Sequence, residues 1–254
     1  MDTQIRELEV VPTPLINEPL FGADWMSLQF SPTRFGIGLP GGNWEPVILV
    51  HGFLCHQLHV LSLRLWIYWI GYEVFGPGIG WNTQCLDFLA EQLTEATHKA
   101  FIKTGRKVSL ICHSLGGLLG REAARNLPEE VAAVICMGTP ISGVRVNRVV
   151  GEAASLIRQD IARRGNRPEG CYGGGCDCRF MKNLSQDLPK GIVKASIYTQ
   201  MDGIVDWCSC IDDAPSARNI QVPALSHYGL IFNPDARSEI AHLLSEAYGK
   251  TKTA

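Results

Sequence analysis

The chain has 254 residues, of which 46% are hydrophobic and 19% charged, and a formal net charge of −2. That length and balance suit one globular α/β domain with a substantial core and exclude a disordered polymer. The near-neutral charge gives no reason to expect nucleic acid or an anionic membrane surface as a partner.

Met1 to Glu9 carries acidic side chains and no apolar segment, so it does not read as a secretory leader, and a cytoplasmic protein is expected. Residues 1–24, with Pro12, Pro14 and Pro19, read as an extended arm laid over the domain. Trp25 to Phe30 alternates apolar and polar residues and predicts an edge strand. Pro46 to Val50 is wholly apolar, as a strand covered on both faces must be, and runs into His51-Gly52-Phe53. The most apolar stretch, Leu54 to Phe75, is interrupted by His56, His59, Arg64 and Glu73. A membrane span needs about 20 predominantly apolar residues, so this stretch predicts a buried helix over Leu58–Trp69 and a strand over Tyr72–Phe75, not stable membrane insertion.

Asn82 to Thr104 places Leu86, Leu89, Ala90, Leu93 and Ala96 at helical spacing, and Gly105 closes that helix. Lys107–Ile111 is the next predicted strand and Leu118–Arg125 the next helix. Further strands are predicted at Val131–Met137, Val193–Thr199 and Asn219–Val222, and a last helix at Pro234–Tyr248. Strands alternating with helices predict a mostly parallel sheet with helices on both faces. The whole chain, 1–254, reads as one domain. Residues 141–190 separate two core strands by far more than an ordinary connection and predict a cap or lid over the carboxyl ends of the strands.

Chemistry concentrates at Cys112-His113-Ser114-Leu115-Gly116-Gly117, where an apolar strand ends, a serine follows and a helix begins. Strand, sharp turn and helix are the context in which G-x-S-x-G becomes a nucleophile elbow. Cys112 departs from that pattern, because the elbow wants a glycine two residues before its serine. A serine needs a base, and the base an orienting partner. Of the two histidines downstream, His242 sits within a predicted helix, whereas His227 lies in the loop after the last strand and is the candidate base. Asp202, nearest the end of the preceding strand, is the candidate acid, with Asp206 as runner-up. The oxyanion donors are expected to be the backbone amides of Leu115 and Phe53. His51 reads as a loop-bonding residue.

In their order and intervals, His51-Gly52-Phe53, Cys112 to Gly117, Met137-Gly138-Thr139-Pro140, Asp202-Gly203-Ile204-Val205 and Ser226-His227 resemble the α/β-hydrolase superfamily, and within it the bacterial lipase/esterase-like branch. The resemblance spans about residues 45–248. It implies an α/β-hydrolase fold, a Ser114–His227–Asp202 triad and hydrolysis of carboxylic esters through an acyl-enzyme, with no metal or organic cofactor. The partner implied is a small-molecule or lipid-like ester. Acyl transfer by the same triad, and a hydrolase-like binding protein without catalysis, remain alternative readings.

Three features are left open. Cys55, Cys85, Cys112 and Cys136 sit singly in apolar surroundings and read as buried thiols, but Cys171, Cys176 and Cys178 in the cap and Cys208 and Cys210 after the acid loop could be thiols, disulfides or metal ligands. The cap carries nine basic against five acidic side chains, which reads as a solvated face or, less simply, as a site for an anionic substrate. Trp66, Trp69, Trp81 and Trp207 are candidates for core packing or for an acyl pocket.

Overall fold

The computed structural model describes residues 8–163 and 178–249. Eight strands and eight α-helices follow in chain order: β1 (Glu9–Val10), α1 (Phe21–Phe30), β2 (Pro46–Val50), α2 (Leu61–Trp69), β3 (Glu73–Phe75), α3 (Leu86–Thr104), β4 (Val108–His113), α4 (Leu115–Asn126), β5 (Val131–Met137), β6 (Arg145–Val146), α5 (Arg148–Arg163), α6 (Arg179–Asn183), β7 (Val193–Tyr198), β8 (Arg218–Gln221), α7 (Gly229–Phe232) and α8 (Pro234–Ala247). Six of the strands form one parallel sheet in the order β3-β2-β4-β5-β7-β8.

The apolar runs are buried on both faces because alternate residues serve different layers. Ile48, Val50, Leu110, Cys112, Val134 and Cys136 face α3 and α4. Val47, Leu49, Ile111, Ala133, Ile135 and Met137 face α2 and α8. The central strands β2, β4 and β5 are buried along their whole length, so their carboxyl ends form a fixed platform. α3 closes at Gly105, whose φ of 64° is the left-handed conformation of a helix C-terminus.

Two expectations fail in informative ways. Trp25–Phe30 is the second half of α1, not an edge strand. Its six-residue alternation fits a helix equally well, and Asp24 and Leu28, one turn apart, are the residues it buries. The helix at 58–69 is not buried all round. Leu63, Trp66 and Ile67 face inward, while Leu58, Leu61, Leu65, Tyr68 and Trp69 are exposed.

The arm joins the domain through short pairings. β1 pairs with β6, and Val146 bridges Val205 in turn, so arm, cap and the loop after β7 are stitched side by side. Among the described residues no helix is long and apolar enough to cross a membrane.

Candidate active site

Ser114 stands between β4 and α4 with φ 56° and ψ −130°, a conformation that a non-glycine residue holds only when its surroundings impose it. Its amide donates to the Met137 carbonyl at 2.8 Å, and its own carbonyl accepts from Thr139 Oγ1 at 2.9 Å. The turn therefore hangs on the end of β5.

Close approach explains the small residues. A Cβ on Gly116 would lie 2.7 Å from the carbonyl oxygens of Val50 and His51, and one on Gly52 would lie 2.8 Å from the Cβ of Ser114. Both positions require glycine as placed. The departure at Cys112 is accommodated elsewhere: its thiol lies 2.5 Å from where a Cβ of Gly120 would stand. Gly120 thus opens the helix surface to the side chain that the elbow strand carries. Complete burial pushes the Cys112 thiol well above its usual range, so it packs as a small neutral group.

Asp202 and His227 meet. Asp202 Oδ2 lies 2.6 Å from His227 Nδ1, with both side chains almost fully buried. The other carboxylate oxygen, Oδ1, accepts the amides of Ile204 and Val205 at 2.9 and 2.8 Å. Burial alone pushes the His227 imidazole down, but the Asp202 charge and hydrogen bond, with Glu18 adding to them, raise it above its ordinary value. An Nδ1–H donated to Asp202 leaves Nε2 with its lone pair free to act as a base.

Asp206, the alternative acid, does other work. It caps the short helical turn at Trp207–Cys210 by accepting the Cys208 amide at 3.1 Å, and it pairs with Arg145 at 2.8 Å. His242 lies on α8 and does not line the cavity. His51 donates from Nε2 to the Gly80 carbonyl at 2.8 Å, which ties the loop after β2 to the loop after β3. His113, beside the serine, donates from Nε2 to the carbonyl of His227 at 3.1 Å, and the two rings stand 4.5 Å apart. Burial holds His113 well below its ordinary pKa, so it remains neutral.

Ser114, His227, Phe53 and Leu115 border a single cavity of about 1110 Å³, counting the part open to solvent. Its walls are apolar. Leu86 and Leu118 come from the core, Val150 and Ala154 from α5, and Phe180 and Met181 from α6. The described residues of segment 141–190 thus supply one wall. None of the four tryptophans lines it: Trp66 is buried under α2, Trp207 stacks on Tyr198, and Trp69 and Trp81 are exposed.

The described arginines of the cap are mostly occupied. Arg145 pairs with Glu9 and Asp206, Arg148 with Glu152, and Arg179 with Glu122 and Asn126. Cys55, Cys112, Cys136, Cys208 and Cys210 are free thiols, and no cluster of metal-binding side chains occurs among the described residues. Cys171 and Cys176 lie outside them.

Glu18 gave no signal in the sequence. It sits in the short 3-10 helix Leu15–Leu20 of the arm. Its Oε1 accepts the amides of Gly203 at 2.9 Å and His227 at 3.0 Å, and its Oε2 accepts that of Tyr228 at 3.3 Å. Nothing local marks it, because its partners are 185 to 210 residues away.

No family model matches the chain. A triacylglycerol lipase of Burkholderia plantarii is 30% identical over 139 residues, which are 49% of this chain and 37% of that protein. The match thus spans little more than a third of the relative's length. Among solved structures, a metagenome-derived lipolytic enzyme superposes with a TM-score of 0.59 at 14% identity, over 83% of this chain and 96% of its own. A soluble variant of monoglyceride lipase from Saccharomyces cerevisiae gives 0.57 at 15% identity, over 82% and 90%. Lipase B of Aspergillus fumigatus gives 0.55 at 16% identity, over 79% and 53%. The chain has the α/β-hydrolase fold.

Proposed function

We propose that the chain is a serine hydrolase that cleaves carboxylic esters through an acyl-enzyme on Ser114. The observation that carries this reading is the buried 2.6 Å contact of Asp202 with His227 on the same cavity that Ser114 and the loop Gly52–Phe53 border. The lipase and esterase neighbours support the reaction class.

His227 Nε2 takes the Ser114 proton as Oγ attacks the ester carbonyl. The amides of Phe53 and Leu115 hold the resulting oxyanion. The tetrahedral adduct collapses, and His227 returns its proton to the departing alkoxide. Water, deprotonated by His227, then attacks the acyl-enzyme and releases the carboxylic acid and free Ser114. Asp202 fixes the His227 tautomer and stabilises the imidazolium formed in each half-reaction. The apolar walls suit a hydrocarbon acyl or alcohol group. We assign residues 141–190 as the cap that closes over it.

A fluorophosphonate probe tests the reading. The expected outcome is stoichiometric labelling mapped to Ser114, with hydrolysis of p-nitrophenyl butyrate that the probe abolishes. Hydrolysis that persists after full labelling, or no labelling of the folded protein, would reject it.

A further inference from the structure

Two loops supply Asp202 and His227, and the arm touches both. The carboxylate of Glu18 takes one amide from the acid loop, at Gly203, and two from the base loop, at His227 and Tyr228. It is the same side chain in each case, so it sets the distance between the loops. The surroundings make that placement firm. Thr13 Oγ1 donates to the Gly203 carbonyl at 2.5 Å, and Asn17 Nδ2 to that of Met201 at 3.0 Å. A Cβ on Gly203 would meet Glu18 Oε1 and the Pro14 carbonyl at 2.8 Å, so the acid loop is glycine there to let the arm approach. One helix further along, Asp24 is buried and accepts the Leu225 amide at 2.9 Å and Asn233 Nδ2 at 3.0 Å, which fixes the start of the base loop.

We propose that Glu18 is a positioning residue of the site: its carboxylate clamps the acid and base loops in the register that lets Asp202 meet His227. This rests on the ester-hydrolase reading for its kinetic consequence but not for its geometry. The charge also matters, because a carboxylate next to the base favours the imidazolium that each half-reaction forms. Glutamine can still accept from Gly203 and His227 through its single carbonyl oxygen, but it carries no charge. Alanine loses both the clamp and the charge.

The test compares wild type, Glu18→Ala and Glu18→Gln by steady-state hydrolysis of p-nitrophenyl butyrate across pH, with thermal melts alongside. Misplacing a catalytic group by about 1 Å costs up to ~100-fold, so E18A should lose roughly 10- to 100-fold in kcat with KM within about two-fold. E18Q should recover most of that loss, with the acid limb of kcat/KM displaced to lower pH. The groups facing His227 from the packed elements are Asp202, Glu18, His113 and Tyr228. Only Glu18 changes between the variants, so the displacement reports its charge. Wild-type kcat and an unchanged acid limb in E18A would overturn the proposal, and so would a lowered melting temperature alone.

A readout independent of activity is the low-field proton resonance of the His227–Asp202 hydrogen bond. It should move or broaden in E18A and be restored in E18Q. An unchanged resonance in E18A counts against the clamp. If wild type neither hydrolyses esters nor takes the fluorophosphonate, the ester-hydrolase reading falls, and this resonance still decides the role of Glu18.

Discussion

The two loops that present Asp202 and His227 and the proposed cap, whose described helices α5 and α6 line the cavity, are held in place by different physics. The loops are fixed by directional hydrogen bonds to backbone amides from Asp202, Glu18 and Asp24. On its cavity side the cap rests on apolar contacts: Val150 and Ala154 of α5 and Phe180 and Met181 of α6 face the space above Ser114. Its polar ties lie at its two ends: at the start Asn147 donates its amide to the Ile204 carbonyl at 2.7 Å and Arg145 pairs with Asp206, and at the return Arg125 donates to the Gln186 carbonyl at 2.9 Å and Asn183 Nδ2 to Glu122 Oε1 at 2.9 Å. Hydrogen bonds fix atoms to a few tenths of an ångström, whereas apolar walls fix only volume. The placement of Asp202 and His227 thus rests mainly on hydrogen bonds, and the shape of the cavity mainly on apolar packing.

The largest break in that contrast should come from the loops and the elbow. Ser114→Ala or Asp202→Asn should each lower kcat by ~10³-fold or more with little effect on KM, measured on p-nitrophenyl butyrate. Next comes the base of the platform. Arg121 of α4 pairs with Asp212 at 2.6 Å, and both side chains are buried. Asp212→Ala leaves that guanidinium without its partner and should cost about 3–5 kcal/mol in urea unfolding.

The cap should respond differently. Ala154→Trp adds bulk to the α5 wall of the cavity, away from the acid loop that Val150 packs against. It should lower the rate on long-chain relative to short-chain p-nitrophenyl esters by about 10-fold, since each methylene in an apolar pocket is worth about 1–3 kcal/mol, while fluorophosphonate labelling of Ser114 keeps its rate. A matching loss on short esters would mean that cap and loops are not separable.

The smallest expected effect is on pH-dependent stability. His113 is held below its ordinary pKa by burial, so the unfolded chain takes up a proton that the folded chain refuses. Stability from this group is complete above the unfolded value of 6.5 and falls as pH drops below it. His227, raised in the folded state, contributes with the opposite sign: its stabilisation is complete below 6.5 and is lost as pH rises through its folded value. His113→Asn should flatten the acid side of the stability curve in thermal melts between pH 5 and 7 on the basis of this linkage.

What could be read in the sequence follows from the range of the interactions. The strands at Pro46–Val50 and Val131–Met137 match their apolar runs because a strand buried on both faces has no polar position to spare. The elbow could be read because strand, serine and helix are contiguous. His227 and Asp202 each follow a strand, and the structure brings Asp202, not Asp206, to the histidine because Arg145 and the Cys208 amide engage Asp206. Glu18 could not be read, since a glutamate beside a proline in an arm differs from a solvated one only in partners far along the chain. Gly120 carries no mark in the sequence, because its role depends on the Cys112 thiol that the fold lays against it. The exposed side of α2 was misjudged because apolar content alone does not reveal which helix face is covered.

The span of the Glu18 clamp also sets an order of events. It joins residues 209 apart, so during synthesis the arm emerges from the ribosome long before the base loop exists. The sheet can gather strand by strand, but the amides that Glu18 accepts arrive only once Gly203, His227 and Tyr228 have been made. A nascent chain can therefore carry the elbow before residues 203–228 supply the amides that Glu18 accepts. A chain shortened before residue 227 would keep Ser114 and lack the Asp202–His227 contact.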